Sequence, residues 1–386
     1  MDSGEYSFTN VVLPKKKPIT PLRRVLPLFF QAVPLSTLSY FLKIGCFRID
    51  YKFFYKIAPL FISSCFHSIL SKREKLLFSK KIDATKLIAP PIFILGHWRN
   101  GTTYLHNLLC QDPNHTFPRT YQTLFPGAFL LPAVKKIAAK LDSRVGKITR
   151  PMDNVLVGLN EPWEDEFIMA SLTGISPYKR AMFPRTFGRG AGYKYPDFES
   201  QKEKNIWKKV FLQLLKRLTI VENKRIVLKS PPHTTRVKLL MEMFPEAKFI
   251  HIVRHPYDVF PSNLKLWRDA FSRSFFQAVS HDEIMEIVLS TYEQMYRCYH
   301  EEKSCIPESN LAEIRFEDFE KDPLKHIELV YDRLNLPGFK KFSLSAASYL
   351  ASLGNYKKNV FNMTRGMRSK LRDRWSQAFE IYGYDG

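Results

Sequence analysis

From residue 89 the chain alternates short apolar runs with helical periodicities. Pro90-Pro91 punctuates the boundary, and Ile92-Phe93-Ile94-Leu95 follows as four consecutive apolar residues. A run of that length, bounded by prolines and a glycine, predicts a buried strand. A helical pattern opens at Thr102, sets Leu105, Leu108 and Leu109 on one face, and stops before Asp112-Pro113. Arg225-Ile226-Val227-Leu228 predicts another strand. Val237, Leu240, Met241 and Phe244 then mark one helix face, Pro245-Glu246-Ala247 turns the chain, and Phe249 to Val253 predicts a third strand. Strand, helix and strand at this spacing form a βαβ unit, which implies a parallel sheet. Ile314-Arg315-Phe316 adds a further short strand. The expectation is one α/β domain over residues 89–386 with a mostly parallel central sheet. Residues 185–205, rich in glycine and polar groups, predict a long loop, either a lid or a surface insertion.

The first 88 residues read differently. Val25 to Leu42 carries no charge over 18 positions, yet Pro27, Gln31, Pro34, Ser36, Thr37 and Ser39 interrupt it. A membrane span needs about 20 mainly apolar residues, so this run predicts broken helices. The segment holds 15 Lys or Arg against 5 Asp or Glu. Its first reading is a basic helical layer packed on the main domain with its lysines in water. Its second is a basic, aromatic-rich surface that lies on a membrane or receives an apolar substrate. A true span ranks last.

Composition narrows the class only a little. Of 386 residues 45% are hydrophobic and 25% charged, which excludes a disordered or collagen-like chain. The net charge of +22 calls for an anionic partner: nucleic acid, a membrane surface or a phosphorylated small molecule. Cys46, Cys65, Cys110, Cys298 and Cys305 show no CxxC spacing, which argues against zinc and for the free thiols of a reducing compartment. Met1 to Asn10 is polar, with Asp2 and Glu5, unlike a secretory leader. The expected location is the cytoplasm, at most peripheral to the inner face of a membrane.

Candidate chemistry begins at Gly96-His97-Trp98-Arg99-Asn100-Gly101-Thr102-Thr103, between a predicted strand and a predicted helix. Glycines let backbone N–H groups wrap an anion, and a helix N-terminus adds partial positive charge. The frame is that of a P-loop, but Thr102 stands where a nucleotide triphosphatase needs Lys, and the cation is Arg99. A second element lies downstream. Phe249 to Val253 runs into Arg254-His255-Pro256-Tyr257-Asp258, and Ser262 follows Arg254 by eight residues.

The two elements, in this order and in these strand contexts, resemble the 5′-phosphosulfate and 3′-phosphate motifs of the sulfotransferases that use 3′-phosphoadenosine 5′-phosphosulfate (PAPS). Ile314-Arg-Phe-Glu-Asp-Phe-Glu-Lys-Asp-Pro323 is similar to a later segment of that family, and the resemblance spans roughly residues 90–335. Bacterial members with Gly-His-Trp-Arg-x-Gly-Thr-Thr look nearest. The resemblance implies a P-loop-like three-layer fold and PAPS as sulfuryl donor, leaving as 3′-phosphoadenosine 5′-phosphate (PAP), with no metal because Arg and Lys supply the charge. It implies that Arg99, Asn100, Gly101, Thr102 and Thr103 bind the 5′-phosphosulfate, and that Arg254 and Ser262 bind the 3′-phosphate. Tyr104 and Phe316 fall where family members place adenine-side aromatics. Asn100 replaces a common Ser, and Pro261 is positioned to bend the helix that presents Ser262.

Lys229 ends its strand 25 residues before Arg254, a spacing that resembles the catalytic Lys of the tyrosylprotein branch. A Lys there can neutralise charge on the departing oxygen. The acceptor hydroxyl needs a base, and the branch's base position here reads Phe117-Pro118-Arg119-Thr120, with no carboxylate. The substitute is Glu161-Pro162-Trp163-Glu164-Asp165-Glu166-Phe167, with Pro162 opening a helix and Trp163, Phe167 and Ala170 on a buried stripe. Glu164 is the first candidate, Asp165 and Glu166 follow, and His97, His106, His115 and His233 compete; His106 sits one turn into the first helix. Lys357, Lys358, Arg365, Arg368, Lys370 and Arg372 are either a clamp on the 3′-phosphate or a solvated basic helix.

The expected reaction is sulfuryl transfer from PAPS to a small-molecule hydroxyl, on a hydrophobic alcohol such as a sterol or lipid rather than a carbohydrate, given 31 Phe, 18 Tyr and the apolar N-terminal segment. The rivals are a P-loop kinase or NTPase and a nucleic-acid-binding protein. The missing loop Lys opposes the first, and no helix-turn-helix, zinc-finger or RNA-recognition signature supports the second.

Overall fold

The computed structural model describes residues 10–14, 32–150, 156–187, 198–354, 359 and 361–385. In chain order the elements that matter are α1 (Leu35–Ile44), α2 (Ile57–Ala84), β1 (Ile92–Leu95), α3 (Thr102–Leu109), β2 (His115–Thr116), α4 (Asp165–Thr173), α5 (Gln201–Val221), β3 (Arg225–Lys229), α6 (Val237–Met243), β4 (Lys248–Val253), α7 (Pro256–Asp269), α8 (His281–Glu302), β5 (Leu311–Arg315), α9 (Phe316–Lys321) and α10 (Arg365–Arg374).

The five strands form one parallel sheet in the order β2-β3-β1-β4-β5. The unbroken apolar run of β1 follows from burial on both faces. Ile92 and Ile94 pack with Leu105, Leu108 and Leu109 of α3, while Phe93 and Leu95 belong to the larger cluster on the other face. Helices therefore cover the sheet on both sides, as a three-layer α/β fold requires. The strand order reverses around β1, so the chain leaves β1 in one direction and β4 in the other. Such a switch point leaves a crevice at the strands' carboxyl ends.

Several local expectations are corrected. Phe316 opens α9 instead of closing a strand, which ends at Arg315. Pro162 does not start a helix: it bridges Arg119, and α4 begins three residues later at Asp165. Trp163 and Phe167 are half-buried, so the stripe proposed for them carries its full burial only at Ala170. The loop expected over residues 185–205 is helical at both described ends, Pro184–Phe187 and from Gln201 on. Ser200 caps α5 by accepting from the Glu203 N–H, a local signal that outweighs the polar composition. Residues 188–197 lie outside the described residues, as do Lys357, Lys358 and residues 25–31 of the run from Val25.

The N-terminal helices are joined to this body by polar bonds. Thr37 in α1 donates to the Leu172 carbonyl at the end of α4, and Tyr40 donates to Glu203 of α5. Lys56 donates to the carbonyls of Arg273 and Phe275, both at 2.9 Å. The sequence pattern did not reveal α2, because its apolar and basic side chains share the outward side while its buried positions mix Leu60 and Ile82 with Ser64, His67 and Glu74.

Candidate active site

β3, β1 and β4 are adjacent, and their carboxyl ends deliver Lys229, the loop from Gly96, and Arg254 to one edge of the sheet. After Leu95 the backbone turns through Gly96 at φ +143°, Arg99 at φ +75° and Gly101 at φ +89°. A Cβ on Gly101 would lie 2.2 Å from the Phe316 ring, and one on Gly96 would lie 2.6 Å from the Ile252 carbonyl oxygen. Both positions need glycine for space as well as for φ. Arg99 takes the same left-handed side of the map with a full side chain, a strained conformation of the kind that clusters at ligand sites.

The loop is held from beneath. The Gly96 N–H donates to Thr234 Oγ1 at 2.8 Å, and Asn263 of α7 donates to the Trp98 carbonyl at 3.0 Å. Asn100 departs from its expected place among ligand-facing residues. It is fully buried, and its Nδ2 donates to the Ile252 carbonyl at 3.0 Å and to the Tyr296 hydroxyl at 2.7 Å. Its amide clamps the loop to β4 and α8.

Arg99, Ser262 and Arg254 lie together. Arg99 Nε donates to Ser262 Oγ at 2.8 Å, and Arg254 Nη1 reaches the Arg99 carbonyl at 3.5 Å. The Arg254 guanidinium pairs with Asp258 at 3.1 Å and lies 4.6 Å above the Phe316 ring centroid. Its Nε is buried and has no hydrogen-bond partner among the described residues. A buried guanidinium N–H without an acceptor suits an anionic oxygen. Pro261 does not break α7, which runs from Pro256 to Asp269 and keeps Ser262 on the loop side. Tyr104 is half-buried against Phe319, with ring centroids 5.1 Å apart. Burial, then the nearby Tyr349 and Glu320, push its phenol up to about 12.

Lys229 is not a surface lysine: it is 2% exposed. Its Nζ lies 2.6 Å from Glu164 Oε1 and 3.4 Å from Thr103 Oγ1, in the first turn of α3. Burial pulls the ammonium below its ordinary value, and the Glu164 charge opposes that shift. Glu164 Oε2 accepts from the Tyr178 hydroxyl at 2.5 Å. Tyr178 in turn accepts from Trp98 Nε1 at 3.3 Å. Burial first, and the Glu164 carboxylate second, hold this phenol well above 10, so it remains a donor. Glu164 occupies the position before α4 but makes no side-chain cap bond, so its carboxylate is turned toward Lys229 and Tyr178 rather than the helix.

The neighbouring acids are committed elsewhere. Asp165 accepts from Ser230 at 2.8 Å and pairs with His233 at 2.7 Å; burial raises its carboxyl, but these partners outweigh it and the net shift is downward. Glu166 forms a two-pronged pair with Arg236, at 2.6 and 3.1 Å. The histidines are internal. Burial takes His97 and His106 down to about 3; His97 bonds the Trp98 carbonyl, and His106 bonds the Val227 carbonyl beside the Lys229 charge. His115 bonds the Leu109 carbonyl. Arg365, Arg368, Lys370 and Arg372 on α10 are all exposed, with Arg368 lying over the Tyr257 ring at 5.2 Å.

Sequence reading passed over Tyr178, Thr234 and Asn263. Tyr178 sits 14 residues from Glu164 and 80 from Trp98, so no local spacing links the three.

Residues 90–341 match the profile described as the Sulfotransferase family. Omega-hydroxy-beta-dihydromenaquinone-9 sulfotransferase Stf3 of Mycobacterium bovis is 36% identical over 325 residues, covering 83% of this chain and 82% of that protein. The protein of the same name from Mycobacterium tuberculosis matches with the same identity and coverage. Among solved structures, sulfotransferase STF9 from Mycobacterium avium aligns with a TM-score of 0.68 at 15% identity, over 89% of this chain and 90% of that one. Sulfotransferase STF1 from Mycobacterium tuberculosis H37Rv aligns at 0.65 and 16% identity, over 89% and 91%. At those identities the likeness establishes the fold.

Proposed function

The chain belongs to the sulfotransferase family, and from that premise we propose that it moves the sulfuryl group of PAPS to the hydroxyl of a hydrophobic, lipid-like alcohol. The observation that carries this reading is the convergence of Arg99, Lys229 and Arg254 at the ends of three adjacent parallel strands. The Arg254 Nε and the Ser262 hydroxyl fit a 3′-phosphate. Arg99 and the N–H groups of Gly101, Thr102 and Thr103 fit the 5′-phosphosulfate at the α3 N-terminus. Tyr104 and Phe316 are the adenine-side aromatics of this arrangement.

Transfer is an in-line displacement at sulfur. Negative charge grows on the bridging oxygen that leaves with PAP, and Lys229 Nζ neutralises it from the end of β3. Glu164 accepts the acceptor's proton as the new S–O bond forms. The resting ion pair keeps both groups poised. The donor's anion competes for Lys229, and the carboxylate, still held by Tyr178, turns to the acceptor. Asp165, Glu166 and His106 lie outside this scheme, because the first two are paired inside and the third is buried and weakly basic.

Aromatic rings surround the proposed base. Tyr178 lies 6.1 Å from Trp98 and 5.1 Å from Phe167, which lies 5.8 Å from Trp163. Such a wall favours an apolar acceptor over a sugar, and the Mycobacterium bovis relative is named for a hydroxylated menaquinone. We assign the transfer unit to residues 89–386, with residues 1–88 as an attached segment, and the enzyme to the cytoplasm.

The test is PAP release with PAPS and three acceptors: a long-chain prenyl alcohol, a nitrophenol and a hexose. Transfer to the prenyl alcohol over the hexose is expected. PAP at a hundredfold excess over its Kd should add about 2.7 kcal/mol of stability. Mg-ATP hydrolysis without stabilisation by PAP would move the protein to the kinase or NTPase class. Preference for the hexose would leave the donor and overturn the acceptor.

A further inference from the structure

We propose that the outward face of α2, with the helical turn before it, docks on an anionic lipid bilayer and lies along its surface rather than crossing it. This follows from the helix surface and depends on neither the donor nor the acceptor argued above.

The burial of α2 runs partly against polarity: Leu60 and Ile82 are buried, but so are polar side chains, and most of its large apolar residues are not. Its buried positions include Ser64, His67 and Glu74, whereas Phe61, Ile62, Phe66, Ile69, Leu76 and Leu77 are between 51 and 75% exposed. Two adjacent pairs, Phe61-Ile62 and Leu76-Leu77, with Phe66 and Ile69 between them, fall on one side of the helix at about 100° per residue. Phe47, Tyr51 and Phe54 extend the apolar surface before the helix. A soluble protein rarely leaves so continuous an apolar stripe in water.

Length and composition alone would allow this helix to cross a membrane. Its inner face opposes that. Glu74, near the middle of the C-terminal half, pairs with Arg217 of α5 at 2.5 Å and accepts from the Leu130 N–H at 2.6 Å. Ser71 packs so closely on Gly127 that a Cβ there would lie 1.9 Å from its hydroxyl. Crossing would strip these partners from a carboxylate and place it in hydrocarbon. A helix of 28 residues, about 42 Å long at 1.5 Å per residue, instead offers its outer side to an interface while its inner side stays on the enzyme.

Charge selects the bilayer as occupant. Lys52, Lys72, Arg73, Lys75, Lys80 and Lys81 are exposed along the same segment, against one exposed acid, Asp83. Anionic headgroups complement this set. A second copy of the chain would set the same cations against one another.

The experiment is co-sedimentation of the full chain with vesicles of phosphatidylcholine alone or mixed with phosphatidylglycerol. Wild type should pellet with the mixed vesicles and release at high salt. Phe61→Asp with Ile69→Asp should lower partitioning at least tenfold. Lys72→Gln with Arg73→Gln and Lys75→Gln should lower it on the order of a hundredfold at low salt, since each cation near the surface contributes roughly fivefold. Both variants should keep the wild-type melting temperature and rate on a water-soluble phenol, which separates this proposal from the transfer chemistry. Wild type left in the supernatant with both vesicle types would overturn it. So would dimerisation that Phe61→Asp abolishes while vesicle binding is absent, because the face would then be a self-association surface.

Discussion

Changing Glu164 to Gln keeps the side chain's size and removes its charge, and the structure sets what that costs. The carboxylate now accepts from Lys229 at 2.6 Å and from Tyr178 at 2.5 Å. A carboxamide oxygen can serve one of these donors, and its NH2 then faces the other. A hydrogen bond to a charged group contributes about 1.5–3 kcal/mol. Screening is slight, because the two ion-pair side chains are 3% and 16% exposed. The expected loss is about 2 kcal/mol. With an unfolding entropy of roughly 0.8 kcal/mol/K for a chain of this size, the melting temperature falls by about 2–3 °C, and the variant stays folded. Removing a general base slows transfer about 100- to 10,000-fold. The assay is the initial rate of PAP formation at saturating PAPS, with an aliphatic alcohol and with a nitrophenol. The nitrophenol ionises without help, so its loss should be much smaller. Equal slowing of both acceptors would refute the assignment. Asp165→Asn is the control. Asp165 binds Ser230 and His233, so its loss should lower the melting temperature further and slow both acceptors alike.

Lys229→Ala should lower kcat by about 100- to 1000-fold, the worth of one transition-state donor, with a much smaller change in PAP affinity; a near-normal kcat would remove Lys229 from the mechanism. Arg254→Ala should weaken PAP binding by about 2–5 kcal/mol in calorimetry and spare an analogue without the 3′-phosphate; equal losses for both ligands would contradict that contact. Lys56 gives a pH test: burial, then the Arg273 charge, lower its ammonium to about 8 from 10.5. Between those values the unfolded chain binds the extra proton, so this contribution is fully present above 10.5 and lost as pH falls through 8. Denaturation of wild type and Lys56→Met across that window should therefore diverge in favour of wild type as pH rises, on the order of 3 kcal/mol; a constant difference would count against it.

Much of the proposed donor side was legible because its parts are local in the chain. A strand, a glycine loop and a helix N-terminus form one continuous segment from Ile92 to Leu109, and Arg254 and Ser262 sit on one strand–helix junction. Pattern and spacing suffice where backbone geometry alone aims the groups. The parallel sheet was legible for the same reason, since a short apolar run fits burial on both faces. Asn100 shows the limit. Its neighbours suggested a ligand contact, yet its side chain turns inward because Tyr296, far along the chain, offers it a buried hydroxyl.

The sequence by itself determined the strand–loop–helix units and the cations at their ends, and with them the proposal of an anionic donor at the sheet edge. The tertiary structure alone decided which of three consecutive acids is available for chemistry. Glu164, Asp165 and Glu166 are chemically alike and adjacent. They differ because Lys229 and Tyr178 meet the first, Ser230 and His233 take the second, and Arg236 takes the third. Only tertiary structure, too, turned Ser64, His67 and Glu74 of α2 inward and left its apolar stripe outside. In both cases the outcome depends on which distant donor fills each buried site, and one-dimensional order carries no record of that.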